Sequence, residues 1–400
     1  MPVAPKLQHQ SYSRSRELNA QSLFRRILDA VNFPLLIVVA LLTAYGLVVV
    51  HSAIEGRTDY TFSRQLTGVG IGVVAMGLVW WFDYRKLATL AFPLLIVTMI
   101  LVFLPLVPGL GINVNGARNW VVIFGQQIQP GEFAKPFIVL YAAALGVKHK
   151  DSIRSGKEYF KVLVLLMLPV ICIVLQPDLG TGLVFFMIGM AVLLTGGAKR
   201  KWLIITAVVL ILALVMLIVV DGLLDNLVGT DVLIKEYQKN RILVFLNEDI
   251  DPTGVGHNLR QAKIAIGSGG LFGKGLGNAT QSGLGFLPEA PTDFIFCVLA
   301  EQFGFMGCIT LIGLYVVLLF IALRIALNSN NLFGKLIVSG IMGMWVFQIF
   351  ENIGMGCGLM PITGIPLPFM SYGSSFMVVN FMLVGLLCSV WSRRDSKMKK

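Results

Sequence analysis

The run FIFCVLAEQFGFMGCITLIGLYVVLLFIAL, residues 294–323, decides the fold. It is longer than the roughly 20 apolar residues that a helix needs to cross the hydrocarbon of a bilayer. Working outward, nine further apolar runs fall at 33–52, 66–82, 88–107, 133–147, 160–175, 178–195, 202–220, 334–357 and 374–392. The fourth of the ten is short and sits on the Glu132–Lys135 string, and the fifth and sixth are joined only by Gln176 and Pro177. Of the 400 residues 56% are hydrophobic and 13% charged, against about 25% charged in soluble domains. An ordinary soluble globule is excluded. The fold class is an all-α polytopic membrane protein of about ten transmembrane helices, with a large loop before the eighth.

The runs divide the chain into a tail at 1–32, seven spans within 33–220, a loop at 221–293, three spans within 294–392 and a tail at 393–400. Ten spans return both termini to one side, and that side collects 22 of the 32 Lys and Arg residues. Cytoplasmic loops hold the excess of cations in a polytopic membrane protein, so both tails are expected inside and the loops 108–132, 221–293 and 356–373 outside. The net charge of +11 is then explained by insertion and by anionic membrane lipid, with no need for nucleic acid. Residues 1–26 are polar and the first apolar run is long enough to stay in the bilayer, so no cleavable signal is expected. The five cysteines form no C-x-x-C pair and have no neighbouring His, which argues against both a disulfide framework and zinc.

Several polar strings interrupt this pattern. GSGGLFGKG, 267–275, tempts a phosphate-loop reading. It lacks the Gly that G-x-x-x-x-G-K requires at 268, and it lacks Ser or Thr after Lys274, so tight backbone packing is the better reading. A serine-hydrolase elbow fails at Ile266. Glu132 and Lys135 stand at i and i+3 of a short helix, which suits a structural ion pair or a substrate site. Arg118 and Trp120 suit an interfacial anchor. Asp293 and Asp178 each precede an apolar run, where an acid caps a helix; for Asp293 capping is the favoured reading of the residue alone, and for Asp178 the case is stronger. Glu351 lies inside the ninth span, as a partner for a cation or as an acid facing a cavity.

Taken in order, NGARNW (115–120), QPGEFAK (129–135), QPDLGT (176–181), QAKIAIGSGGLFGKG (261–275), TQSGLGFLPEAPTDFIF (280–296) and MPITGIPLPFMSYGSS (360–375) resemble the SEDS family of shape, elongation, division and sporulation proteins. AKIAIGSGGLFGKG and QPDLGT lean toward its rod-shape, elongation branch. The resemblance implies a ten-span fold and a peptidoglycan glycosyltransferase that polymerises lipid II, releases undecaprenyl pyrophosphate and works with a class B penicillin-binding transpeptidase. It places the family's essential acid on Asp293 and its conserved acid and lysine on Glu132 and Lys135. Two positions depart from the family's strings: Pro291 stands where His is usual, and Ser374 where Gly is usual.

The chemistry so implied is a single inversion, in which a sugar 4-hydroxyl displaces an α-linked lipid pyrophosphate. One general base suffices, and Asp293 is the candidate. The leaving group is already an anion of low basicity, so it needs positive charge more than a general acid. Arg118, Lys135, Arg241, Lys263 and Lys274 are the available cations, with a divalent metal as an optional helper and no other cofactor. Trp120, Glu132, Glu289 and Ser371 complete the expected substrate contacts. Two other readings stand beside this one. A flippase for the lipid-linked precursor draws weak support from Glu351, although no inverted repeat of broken helices is visible, and a scaffold would only activate its transpeptidase partner. Within the family, a division role is the alternative to elongation.

Overall fold

The structure is a computed structural model that describes residues 29–394 apart from 115–116, 124–125, 229–240, 242 and 253. The tail at 1–28, with its basic residues, lies outside the described residues, as do Lys235 and Lys239.

The ten apolar runs are all helical. They form α1 (Phe33–Ala53), α2 (Phe62–Trp81), α3 (Ala91–Phe103), α4 (Pro130–Lys148), α5 (Gly156–Val174), α6 (Leu179–Thr195) and α7 (Arg200–Val228). After α8 (Val255–Ser268), a helix within the long loop, come α9 (Ile295–Asn328), α10 (Leu332–Gly356) and α11 (Ser374–Ser392). Local chemistry explains the starts. Asn32 accepts the Leu35 N–H at 3.1 Å ahead of α1, and Asp178 accepts the Thr181 N–H at 3.0 Å ahead of α6, as its position before that run suggested. The short fourth run is lengthened at its front. Pro130 occupies the first turn of α4, where its missing N–H costs nothing, and Glu132 gains there from the helix dipole.

Packing separates lining from core. α10 is buried along most of one side and packs on α4, α6 and α9. α2 and α11 approach closely through small residues: a Cβ on Gly72 would stand 2.6 Å from the Phe381 ring, and one on Gly385 2.6 Å from the Met76 carbonyl. This is the small-residue packing that membrane helices use when no water drives them together. Val74, Leu78, Ile211 and Val316 point outward, as lipid-facing residues do. The two ends of the bundle differ. At one, which we call the terminal end, Arg394 donates to the Asp29 carbonyl at 2.9 Å. The other, the loop end, carries the long loops.

Two features of the loop end were not foreseen. Residues 111–128 fold into an antiparallel sheet of β1 (Gly111–Val114), β2 (Ala117–Ile123) and β3 (Gln126–Ile128), in the order β1-β2-β3, where only a loop was expected. The second is a break in α9 at Gly304, whose φ of 63° and ψ of −160° leave the helical region. The glycine run fills that break. Lys274 and Gly275 donate their N–H groups to the carbonyls of Glu301 and Gln302, both at 3.0 Å, while Phe305 and Met306 donate to Gly270 and Leu271 at 2.9 and 3.1 Å. Two carbonyls and two N–H groups that the break parts thus find partners in the loop. The approach demands glycine: a Cβ on Gly269 would lie 2.0 Å from the Ala300 carbonyl oxygen, and Gly273, at φ 80°, would lie 2.1 Å from that of Gln302. The packing reading of GSGGLFGKG describes this loop.

Candidate active site

Asp293 is delivered to the loop end by a tight turn. The N–H groups of Thr292, Asp293 and Phe294 all point at the Glu289 carbonyl, at 3.2, 3.0 and 3.2 Å, with Glu289 itself at φ 50°. Three pegs hold the turn in place. Tyr372 N–H donates to the Pro291 carbonyl at 2.8 Å, the Ser371 hydroxyl to the Thr292 carbonyl at 2.6 Å, and Asn352 Nδ2 to the Asp293 carbonyl at 2.7 Å. The capping reading of Asp293 is corrected here. α9 begins after Phe294 with no side-chain cap, so the Asp293 carboxyl is not spent on the helix.

That carboxyl is pushed up to about 6 from its ordinary 3.8. Burial is the main cause, repulsion from Glu289 the next, and the Arg241 charge and a hydrogen bond from Thr292 pull the other way. Glu289 is occupied in turn: its Oε2 accepts from the Tyr60 hydroxyl at 2.9 Å and from the Thr292 hydroxyl at 3.0 Å. Arg241 donates from Nη1 to the Thr363 carbonyl at 3.1 Å. A Cβ on the next residue, Gly364, would meet Asp293 Oδ2 at 3.0 Å. The stretch 363–364 therefore has the acid and the arginine against it together.

The same stretch walls a cleft of about 70 Å³, whose lining includes Gln129, Glu132, Lys135, Asp178, Thr181 and Thr363 through Pro366. Glu132 and Lys135 form a buried ion pair at 2.5 Å, and Lys135 Nζ lies 5.4 Å from the centre of the Phe376 ring. One oxygen of Glu132, Oε2, is buried with no hydrogen-bond partner among the described residues, which suits a ligand in the cleft. At the rim, Asn119 on β2 donates to Asp178 Oδ2 at 3.2 Å.

The remaining expected contacts are dispersed. Trp120 follows Asn119 on β2 and pairs with Ile112, so strand alternation turns it to the opposite face from Asp178. Arg118 lies on β2 with its side chain outside the described residues. Ser371 is fully buried and its hydroxyl is used twice, accepting the Leu367 N–H at 2.8 Å besides donating to Thr292, so it braces the loop and faces no cleft. Lys263 pairs with Glu248. Lys274 pairs with the buried Glu301 at 2.7 Å and helps to fasten the glycine loop. Of the five cations considered, Lys135 lines the cleft and Arg241 reaches Asp293. Among the described residues no three His, Cys, Asp or Glu side chains converge. Sequence reading missed Thr363, Gly364, Asn352 and Tyr60; the prolines at 361, 366 and 368 marked the first two as part of a shaped loop but gave no partner for them.

Comparison with known proteins follows the same lines. Residues 33–396 match a family profile described as cell cycle protein, covering FtsW, RodA and SpoVE. The chain is 37% identical over 364 residues to stage V sporulation protein E of Bacillus subtilis (strain 168), an alignment spanning 89% of this chain and 95% of that protein. It is 36% identical over 365 residues to peptidoglycan glycosyltransferase MrdB of Escherichia coli (strain K12), spanning 91% and 94%. In three dimensions it resembles a chain of the solved assembly "Structural coordination of polymerization and crosslinking by a peptidoglycan synthase complex", at 30% identity and a TM-score of 0.73, covering 92% of this chain and 99% of that one.

Proposed function

We propose that this chain, which belongs to the FtsW/RodA/SpoVE family of cell cycle proteins, is a peptidoglycan glycosyltransferase that polymerises lipid II, with Asp293 as its general base. The observation that carries the reading is the meeting of Asp293 and Arg241 at Thr363 and Gly364, the edge of the cleft that also holds Lys135. In the reaction the acceptor sugar's 4-hydroxyl attacks the anomeric carbon of the donor and gives its proton to the Asp293 carboxylate. The bond from that carbon to the pyrophosphate oxygen breaks, configuration inverts, and undecaprenyl pyrophosphate leaves carrying the electron pair. A base held up to about 6 is mostly ionised at neutral pH yet keeps enough proton affinity to act, the compromise expected of a general base. Arg241 and Lys135 supply positive charge where the leaving group gains negative charge.

The loop end, with this site, faces the exterior in this reading and both termini face the cytoplasm, which the surplus of cations at the terminal end supports. A class B penicillin-binding transpeptidase is the expected partner, in keeping with the peptidoglycan synthase complex that this fold resembles. Within the family we assign the elongation role. Depletion of the protein then rounds the cells; filamentation would instead assign it to division. The activity is tested by giving purified wild type and Asp293→Asn lipid II in the same lipid environment. Wild type forms glycan chains and the variant loses about 10²- to 10⁴-fold. Normal polymerisation by the variant would remove Asp293 from the role, and translocation without polymer would favour a flippase.

A further inference from the structure

Glu351 is a buried acid that the mechanism leaves unused. It sits on α10, only 1% exposed, and its Oε1 accepts a hydrogen bond from the Thr363 hydroxyl. A carboxylate withdrawn from water in a membrane helix is costly and has to be compensated by what it touches. What it touches is one end of a two-ended residue. Thr363 is held by Glu351 through its side chain and holds Arg241 through its carbonyl, at 3.1 Å. The charges of Asp293 and Arg241 both reach Glu351.

The next residue on α10 does the complementary task. Asn352 donates from Nδ2 to the carbonyls of Asp293 and Ile365, at 2.7 and 2.8 Å. One turn of a rigid helix thus fixes the backbone of the acid, the 363–365 stretch packed against it and the carbonyl on which the guanidinium rests. An arginine side chain has many rotamers to lose before it can meet a phosphate in one geometry, and a seat built from the helix removes them in advance.

We infer that Glu351 is a positioning residue for Arg241: through the Thr363 hydroxyl it fixes the carbonyl that seats the guanidinium beside Asp293. The inference rests on the reading of Arg241 as a contact for the pyrophosphate. The test is a pair of double-mutant cycles on the full chain in lipid nanodiscs, read by the affinity for undecaprenyl pyrophosphate and by kcat and KM for lipid II. Glu351→Gln, which keeps the shape, and Thr363→Val, which removes the bonded hydroxyl, each weaken undecaprenyl pyrophosphate binding about tenfold, the size of one hydrogen bond to a charged group. Combined, they lose no more than either alone. In an Arg241→Ala background each costs less than about twofold, because the seat has nothing to hold.

A loss of equal size with and without Arg241, or full affinity in Glu351→Gln, would overturn the inference. If Glu351→Gln failed to fold, the Thr363→Val and Arg241→Ala cycle decides alone. Wild type that polymerises lipid II while the cycles are additive removes only the role of Glu351. Wild type that neither binds undecaprenyl pyrophosphate nor polymerises lipid II removes the glycosyltransferase reading and the inference with it.

Discussion

The main-chain N–H of Asp293 donates to the carbonyl of Glu289 at 3.0 Å, so two acids share one turn and the charge of one bears on the other. Glu289 is the second cause, after burial, of the raised Asp293 carboxyl. The polymerisation rate should therefore climb through about pH 6 as the base loses its proton. Glu289→Gln removes one charge that resists ionisation, and the acid limb of the pH profile of kcat/KM moves to lower pH. A limb that stays in place would mean that Glu289 does not act on Asp293 through charge.

The same raised carboxyl has a consequence for stability, of opposite sign to that of a salt-bridged acid. The folded state binds the proton more tightly than the unfolded chain does, with values of about 6 against 3.8. Stability is thus lost as pH rises through that window. Asp293→Asn should be more stable than wild type at pH 8 by up to about 3 kcal/mol, with the gap closing below about pH 4. Thermal unfolding of both proteins at the two pH values measures it.

Two lysines that look alike in sequence should part company. Lys274 is the cation for Glu301, whose side chain is 0% exposed and which also accepts the N–H groups of Thr280 and Gln281 at 2.8 and 2.9 Å. Lys274→Met strands a buried charge and should cost about 3–5 kcal/mol. Lys263 and Glu248 are 41% and 31% exposed, and Lys263→Met should cost no more than about 1 kcal/mol. Chemical denaturation of the two variants in one detergent compares them, and equal losses would contradict the assignment of Lys274 to the loop's anchorage.

Neighbouring glycines offer a steric test of the packed loop. Gly267 has open space where a methyl would go, whereas one on Gly269 would run into the Ala300 carbonyl. Gly267→Ala is expected to be neutral or stabilising by up to about 1 kcal/mol. Gly269→Ala should cost about 1–3 kcal/mol by forcing backbone apart. Melting temperatures of the two variants separate the outcomes, and the difference would vanish if the loop were not seated on α9.

Much of this architecture is legible in the residues because the bilayer is a strict solvent. Ten apolar runs are all helical, and Asp178 caps α6 with the acid its position calls for. The departures have local physical causes. Strands of three to seven residues at 111–128 are too short for alternation to stand out, and they are held by pairing with one another. Gly304 is one of several glycines in an apolar run, and composition does not distinguish a glycine that lets helices touch from one that reverses the backbone. At the site, residue type singled out the acids and the cations. Which cation meets Asp293 depends on where Arg241 and Thr363 come together, 122 residues apart in the chain.

The splice at Gly304 makes the first nine residues of α9 a separate strut, butted against the glycine loop and carrying Asp293 at its tip. Force applied to the 276–288 segment would be transmitted through that joint to the acid while the lower shaft of the helix stays anchored in lipid. Any protein that grips this segment would hold a lever on the chemistry.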